Sequence, residues 1–340
     1  MIIKTIATIA LAAQFVMHPT AATASTVNVS NAAQLKAALA AAQPGQTIQL
    51  ADGDYGDQFV ATVAGTAAAP ITLVGSAKAV LHDPLFNLGD TDCPSGQTGY
   101  GLWLQGANFW NLKGFTVDDS KKGIVMDGSS HVTIDGVTVH DIGFEGVHFR
   151  KSSPNGIIEN STIFNTGMAE PGFGEGVYLG SANSNWACFG TNNGKSPDNS
   201  NFIQVLNNKI GPNVAAEGID IKEGTHDGLI SGNTLDGTGE KNQNSGDSTI
   251  DVKGDHYTIT GNTAKNAFLD TFQVHNVFQK TGCGNTFSKN KLTVTNANGF
   301  GINVTDQSTC VSAKTPNIVG ASNTSTGGKG LSKVATTPGV

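Results

Sequence analysis

A chain of 340 residues with 43 glycines, 14% charged residues and 7% aromatic residues holds too much glycine and too few helix formers for a helical bundle. Its short strands also alternate too regularly for a doubly wound sheet. One repetitive all-β domain accommodates this length, because a solenoid core grows linearly with the chain. The formal net charge of −7 argues against nucleic acid as a partner, but an anionic substrate stays compatible where cations gather locally.

The N-terminus reads as a secretory signal: Lys4, an apolar stretch from Ile6 to Val16, and the small-residue cleavage pattern Ala22-Thr-Ala24. Residues 1–24 are expected to be removed and the mature protein to be extracellular. The apolar stretch is too short to span a bilayer, and no later segment is a membrane candidate. Ser30 stands where it would cap a helix from Ala32 to about Ala42, stopped by Pro44-Gly45. Such a helix would cover the open end of a solenoid. Thr47–Leu50 and Pro70–Val74 read as first strands, and residues 86–100 as a loop carrying Cys93.

From Gly101 the pattern becomes regular. Val147-His-Phe-Arg150, Val177-Tyr-Leu-Gly180, Ile219-Asp-Ile-Lys222, Ile250-Asp-Val-Lys253, Phe272-Gln-Val-His275 and Ile302-Asn-Val-Thr305 share one alternation, apolar at the first and third places. Alternation of this kind puts one face of a strand in a core and the other in water. The starts lie 30, 42, 31, 22 and 30 residues apart, the spacing of one coil per repeat in a parallel β-solenoid. Strands stacked roughly 4.8 Å apart align the outward residues in two columns. One column runs His148, Tyr178, Asp220, Asp251, Gln273, Asn303, with Trp103 in an earlier coil; the other runs Arg150, Gly180, Lys222, Lys253, His275, Thr305. A second strand follows in each coil, then an asparagine (Asn208, Asn233, Asn262, Asn290) two residues before an inward position. Stacked inward amides there would satisfy buried turn backbone from coil to coil.

Insertions at 168–200 and 238–248 break the rhythm and suit the walls of a site. The β-helix is expected to span residues 25–313, and residues 314–340, rich in Gly, Ser, Thr and Lys, to form a flexible tail. Four cysteines in an exported chain favour two disulfides. Cys283 and Cys310 lie about one coil apart, which favours that pair and leaves Cys93–Cys188.

The column residues are dense in chemistry for so charge-poor a chain: the sole arginine, two lysines, two histidines, a tyrosine and two aspartates. Glu145, Glu175, Glu217 and Asp270 share one further place just ahead of the strands. That set fits β-elimination of a uronate polysaccharide. The reaction needs a cation on the carboxylate, a base for the C5 proton and an acid for the departing O4. Lys253, or next Lys222, is the expected base, since two neighbouring ammonium groups depress each other's pKa. Arg150 and His275 would hold the carboxylate, and the acid lies among Tyr178, His148, His275 and Arg150. Glu175, Gln273 and Trp103 would contact sugar, and in a non-catalytic binder Trp103 would serve as a stacking platform. Glu217, Asp220 and Asp251 could hold a Ca²⁺ ion or pair with the two lysines; otherwise no cofactor is expected. Two carboxylates, Asp220 and Asp251, would also suit a glycoside hydrolase. A C5-epimerase would use the same proton abstraction, and a non-catalytic adhesin would use the groove to bind sugar alone.

The helix-capped start, the recurring coils and the asparagine ladder resemble the right-handed parallel β-helix proteins of the pectate-lyase superfamily. Gly174–Ser181, Glu217–Thr225 and Phe272–His275 look like secreted members of that group. The resemblance to family 6 and family 9 polysaccharide lyases implies an all-β solenoid acting on an acidic polysaccharide. It also implies a lysine base at Lys222 or Lys253 and calcium near Glu217, Asp220 and Asp251. A monomer without membrane or nucleic-acid partners is expected. The chain departs from family 6, which has an arginine one coil after its lysine; here that place holds Lys253 or His275.

Overall fold

The structure, a computed structural model, describes residues 25–83, 99–279 and 281–340. Among the described residues, three sheets of 12, 9 and 10 strands run along one solenoid, and every strand pair in them is parallel, as between Val147–Arg150 and Val177–Leu179. Each regular coil supplies one strand to each sheet. The nine-stranded front sheet carries the segments singled out by their alternation. The fold is a right-handed parallel β-helix, as expected. Val147, Phe149, Ile219, Ile221, Ile250, Val252, Phe272 and Val274 all lie in the single continuous core, at most 1% exposed. Burying each contributes about 1.5–3 kcal/mol.

The asparagine ladder is an inward hydrogen-bonded stack. Asn233 Nδ2 donates to Asn262 Oδ1 at 2.9 Å and Asn262 Nδ2 to Asn290 Oδ1 at 3.0 Å. Each Oδ1 also accepts the backbone N–H of the preceding rung's asparagine. A second stack, Asn285 over Asn317, stands at the other bend.

The capping helix spans Ala32–Ala40. Its cap is Asn31 rather than Ser30: the Asn31 side chain accepts the N–H of Gln34, while Ser30 bonds the Gln34 side chain. The tail is not a frayed segment. Ile318–Gly320, Thr324–Gly327 and Thr336–Thr337 extend two of the sheets, because polar threonines suffice for outward strand positions once Val319 turns inward. Cys283 and Cys310 form a disulfide. Cys188 is also disulfide-bonded, but its expected partner Cys93 lies outside the described residues, as does the signal segment 1–24. Among the described residues no helix is long and apolar enough to cross a membrane.

Candidate active site

The front sheet supplies the floor of a cleft. His148 pairs in register with Tyr178, Tyr178 with Asp220, Asp220 with Asp251, and Asp251 with Gln273. The second column continues beyond the strand ends, with Gly180, Lys222, Lys253 and His275 each donating its N–H to the coil before. Gly180 has φ +80°, and a Cβ there would collide with Thr225; glycine alone fits, leaving a gap in the column between Arg150 and Lys222. Insertions raise the walls. Phe173 stacks on Phe144 with ring centres 6.0 Å apart, and Asn244 Nδ2 donates to Gly172 O at 3.0 Å. On the other side Trp186 stands edge-on to Phe278 at 4.9 Å. The resulting cavity of about 600 Å³ is lined by Glu145, His148, Glu175, Tyr178, Lys222, Asp251, Lys253 and His275, with Phe173, Phe189 and Val277 on the walls. That size suits a small-ligand or oligosaccharide site.

Asp220 is the electrostatic centre. Lys222 Nζ lies 2.5 Å from its Oδ2 and Lys253 Nζ 2.9 Å from its Oδ1, and Lys253 also pairs with Asp251. The aspartates therefore do pair with the lysines. Burial alone would hold Asp220 neutral, but the two ammonium groups outweigh it and keep the carboxyl below its ordinary range. The expected mutual depression is present, Lys222 lowering Lys253, but it is outweighed for the same reason. Burial lowers each, yet Asp220 with Glu217 and Glu175 around Lys222, and Asp220 with Asp251 around Lys253, raise both. Both lysines are thus firmly charged cations at neutral pH.

The surrounding acids move the other way. Burial, then the charges of Glu145 and Asp220, push Glu175 up to about 8; burial and Asp220 raise Glu217 strongly. Tyr178 is 7% exposed, and burial followed by Asp220, Glu175 and Glu145 holds its phenol well above the ordinary value. The Lys222 ammonium sits 5.0 Å from the centre of the Tyr178 ring.

Three predicted contacts stand apart from the cleft. Arg150 is 1% exposed. Its guanidinium is held on Asp127 at 2.6 Å and 3.1 Å and lies 4.3 Å from the Phe189 ring centre, behind the wall and not among the residues that line the cavity. Trp103, 9% exposed, is packed with Tyr100 and Val125 and donates its indole N–H to Asp127 at 2.8 Å. Gln273 is buried beneath His275, which it meets at 2.7 Å, and donates to Asp270.

The chain is similar to known proteins along most of its length. The model of the family described as periplasmic copper-binding protein (NosD) matches residues 63–238, just over half of the chain. The solved alginate lyase from Paenibacillus sp. str. FPU-7 is 33% identical, with 92% of this chain and 97% of that one covered at a TM-score of 0.75. The chain belongs to the parallel β-helix family that these proteins share. Pectate lyase Pel9A (18% identity, 89% and 73% covered, TM-score 0.67) and the Azotobacter vinelandii mannuronan C-5 epimerase AlgE4 A-module (13%, 90% and 94%, TM-score 0.52) have the same fold. None of the curated proteins matches the chain.

As a member of this β-helix family, the protein places its acidic set differently from the expected Glu217, Asp220 and Asp251. Glu175, Glu217 and Asp220 bring carboxylate oxygens within 4.8 Å of one another, and this buried triad could hold a metal ion. Sequence reasoning missed Lys122, which pairs with Glu145. It stands two residues before the inward Ile124, as Glu145 stands before Val147, so extending that row one coil back would have found it. The wall residues Phe173, Phe189 and Val277 carry no periodic signal, because they lie in the insertions and loops.

Proposed function

We propose that the protein is an exported polysaccharide lyase that cleaves alginate, or a polyuronate of similar charge, by β-elimination. The observation that carries this reading is the convergence of Lys222, Lys253 and Tyr178 on one cleft, two fixed cations beside a phenol. The ammonium groups neutralise the uronate carboxylate and so acidify the C5 proton. Tyr178 acts from the small phenolate fraction that its raised pKa leaves and takes that proton; as the C4–O4 bond breaks, the same group returns a proton to O4 and a C4–C5 double bond remains. No water is consumed, and one group suffices where C5–H and O4 lie on one face of the sugar ring. The 33% identity to an alginate lyase supports the substrate class. The basic–apolar–small pattern before Ser25 and the Cys283–Cys310 disulfide support export to an oxidising compartment.

The cation role falls to the lysines rather than to Ca²⁺. Both Asp220 oxygens already carry ammonium groups, and calcium takes six to eight oxygen ligands. Copper, named in the NosD description, suits imidazole, thiolate or mixed nitrogen–oxygen ligand sets, whereas the triad offers carboxylates alone.

Tyr178→Phe tests the assignment. It should lower kcat by the 10²–10⁴-fold typical of losing a proton-transfer group with KM little changed. Lys222→Arg should retain far more activity than Lys222→Met if the residue serves as a cation, and no more if it serves as the base. Near-normal turnover by Tyr178→Phe would remove the phenol from the mechanism.

A further inference from the structure

A buried ion pair adjoins the cleft without entering the chemistry described above. Lys122 and Glu145 are 1% and 5% exposed, with Nζ 2.9 Å from Oε1 and 2.8 Å from Oε2. Burying both charges is costly, and an apolar pair of similar volume would often stabilise the fold as well or better. The pair leads to His148, which is 3% exposed. His148 Nδ1 lies 3.5 Å from Glu145 Oε1 and Nε2 lies 2.9 Å from Gly180 O, while the ring stands edge-on to Tyr178 with centres 4.3 Å apart.

A carbonyl oxygen only accepts, so Nε2 carries a proton. Both ring nitrogens then face acceptors, and an unmet Glu145 charge would draw a second proton onto Nδ1. Lys122 meets that charge. The other groups around the ring are Arg150, two residues along the same strand, and the Tyr178 phenol of the next coil. Burial first, then Lys122 and Arg150, oppose a charge on His148 and outweigh the pull of Glu145.

We infer that Lys122 is a positioning residue: by taking up the charge of Glu145 it keeps His148 a neutral imidazole tied to Gly180, and so sets the charge beside Tyr178. The link to catalysis rests on Tyr178 as proton carrier; the link to His148 does not. Moving the positive charge from Lys122 to His148 brings it closer to Tyr178, which favours the phenolate.

The experiment is a histidine NMR titration of the full protein, with the His148 signal assigned by its loss in His148→Gln. In Lys122→Met the His148 midpoint should rise by at least one pH unit, a tenfold change in proton affinity, and Lys122→Met/Glu145→Gln should bring it back to the parent value or below. The rising limb of kcat/KM should move to lower pH in the single variant and back in the double. A folded Lys122→Met with an unchanged His148 midpoint, or a double variant that stays with the single, overturns the inference. If Lys122→Met does not fold, Glu145→Gln alone decides: the midpoint should fall, and a rise overturns it. A shifted midpoint with an unshifted pH profile supports the Lys122 assignment and counts against Tyr178 as proton carrier, which separates the two claims.

Discussion

Asp220→Asn keeps the shape of the buried side chain that pairs with both lysines of the cleft and removes its charge. The carboxylate is 1% exposed and holds two ammonium groups, at 2.5 Å and 2.9 Å. Removing one partner from a buried charge pair destabilises by about 3–5 kcal/mol, and here one substitution strips both lysines of their shared partner. The pH dependence follows from the direction of the shift. Lys222 and Lys253 outweigh burial and depress the folded pKa of Asp220. Its contribution is therefore present above the unfolded value of roughly 3.9 and is lost as pH falls through the lower folded value. The lysines are raised, so their share persists through neutral pH and is lost only as alkaline pH passes their folded values. Urea unfolding of parent and variant at pH 7 should show the full difference, and the gap should shrink as the medium is acidified below the unfolded aspartate value. A variant as stable as the parent at pH 7, or a gap that acid leaves unchanged, would refute the placing of Asp220 as a charged hub.

The pH–rate profile should rise from pH 6 towards pH 8, because the Tyr178 phenol is held high and each unit gains phenolate. Glu175 ionises at about 8 and adds a negative charge beside the cleft, so the rise should flatten there and straighten in Glu175→Gln; a flat profile across this range contradicts the phenolate. Asn262→Ala removes a fully buried rung and leaves the N–H of Asn233 and the carbonyl of Ile230 without its amide. At about 1–3 kcal/mol for each unsatisfied group, chemical denaturation should show a loss of roughly 2–6 kcal/mol, and a neutral result would reduce the ladder to an ornament of packing.

The fold was legible because a two-residue period and a coil-length repeat are both written in the sequence. The alignment of Val147, Val177, Ile219, Ile250, Phe272 and Ile302 alone brings His148, Tyr178, Asp220 and Asp251 into one file. What that alignment could not convey is reach. Arg150 belongs to the column, yet Asp127 one coil earlier offers its guanidinium a bidentate partner, and a buried pair wins over an open groove. The alignment sets the lysines beside each other, whereas Asp220 pairs with both and outweighs their mutual depression. The composition of the threonine-rich end suggests a loose tail because it hides the inward residue, Val319, that docks it. Walls such as Phe173 and Val277 depend on how the insertions and loops fold back, which no periodicity encodes.

The most direct measurement follows ultraviolet absorbance while the protein acts on alginate and on a panel of other polyuronates, with and without a chelator. β-Elimination leaves a C4–C5 double bond conjugated with the carboxylate, a chromophore that neither hydrolysis, epimerisation nor binding produces. Absorbance should grow on at least one polyuronate and persist with the chelator present, since Lys222 and Lys253 supply the cation. Cleavage without the chromophore, or no cleavage of any member of the panel, would contradict the assignment as a lyase, and a signal abolished by the chelator would return the Glu175–Glu217–Asp220 triad to the centre of the mechanism.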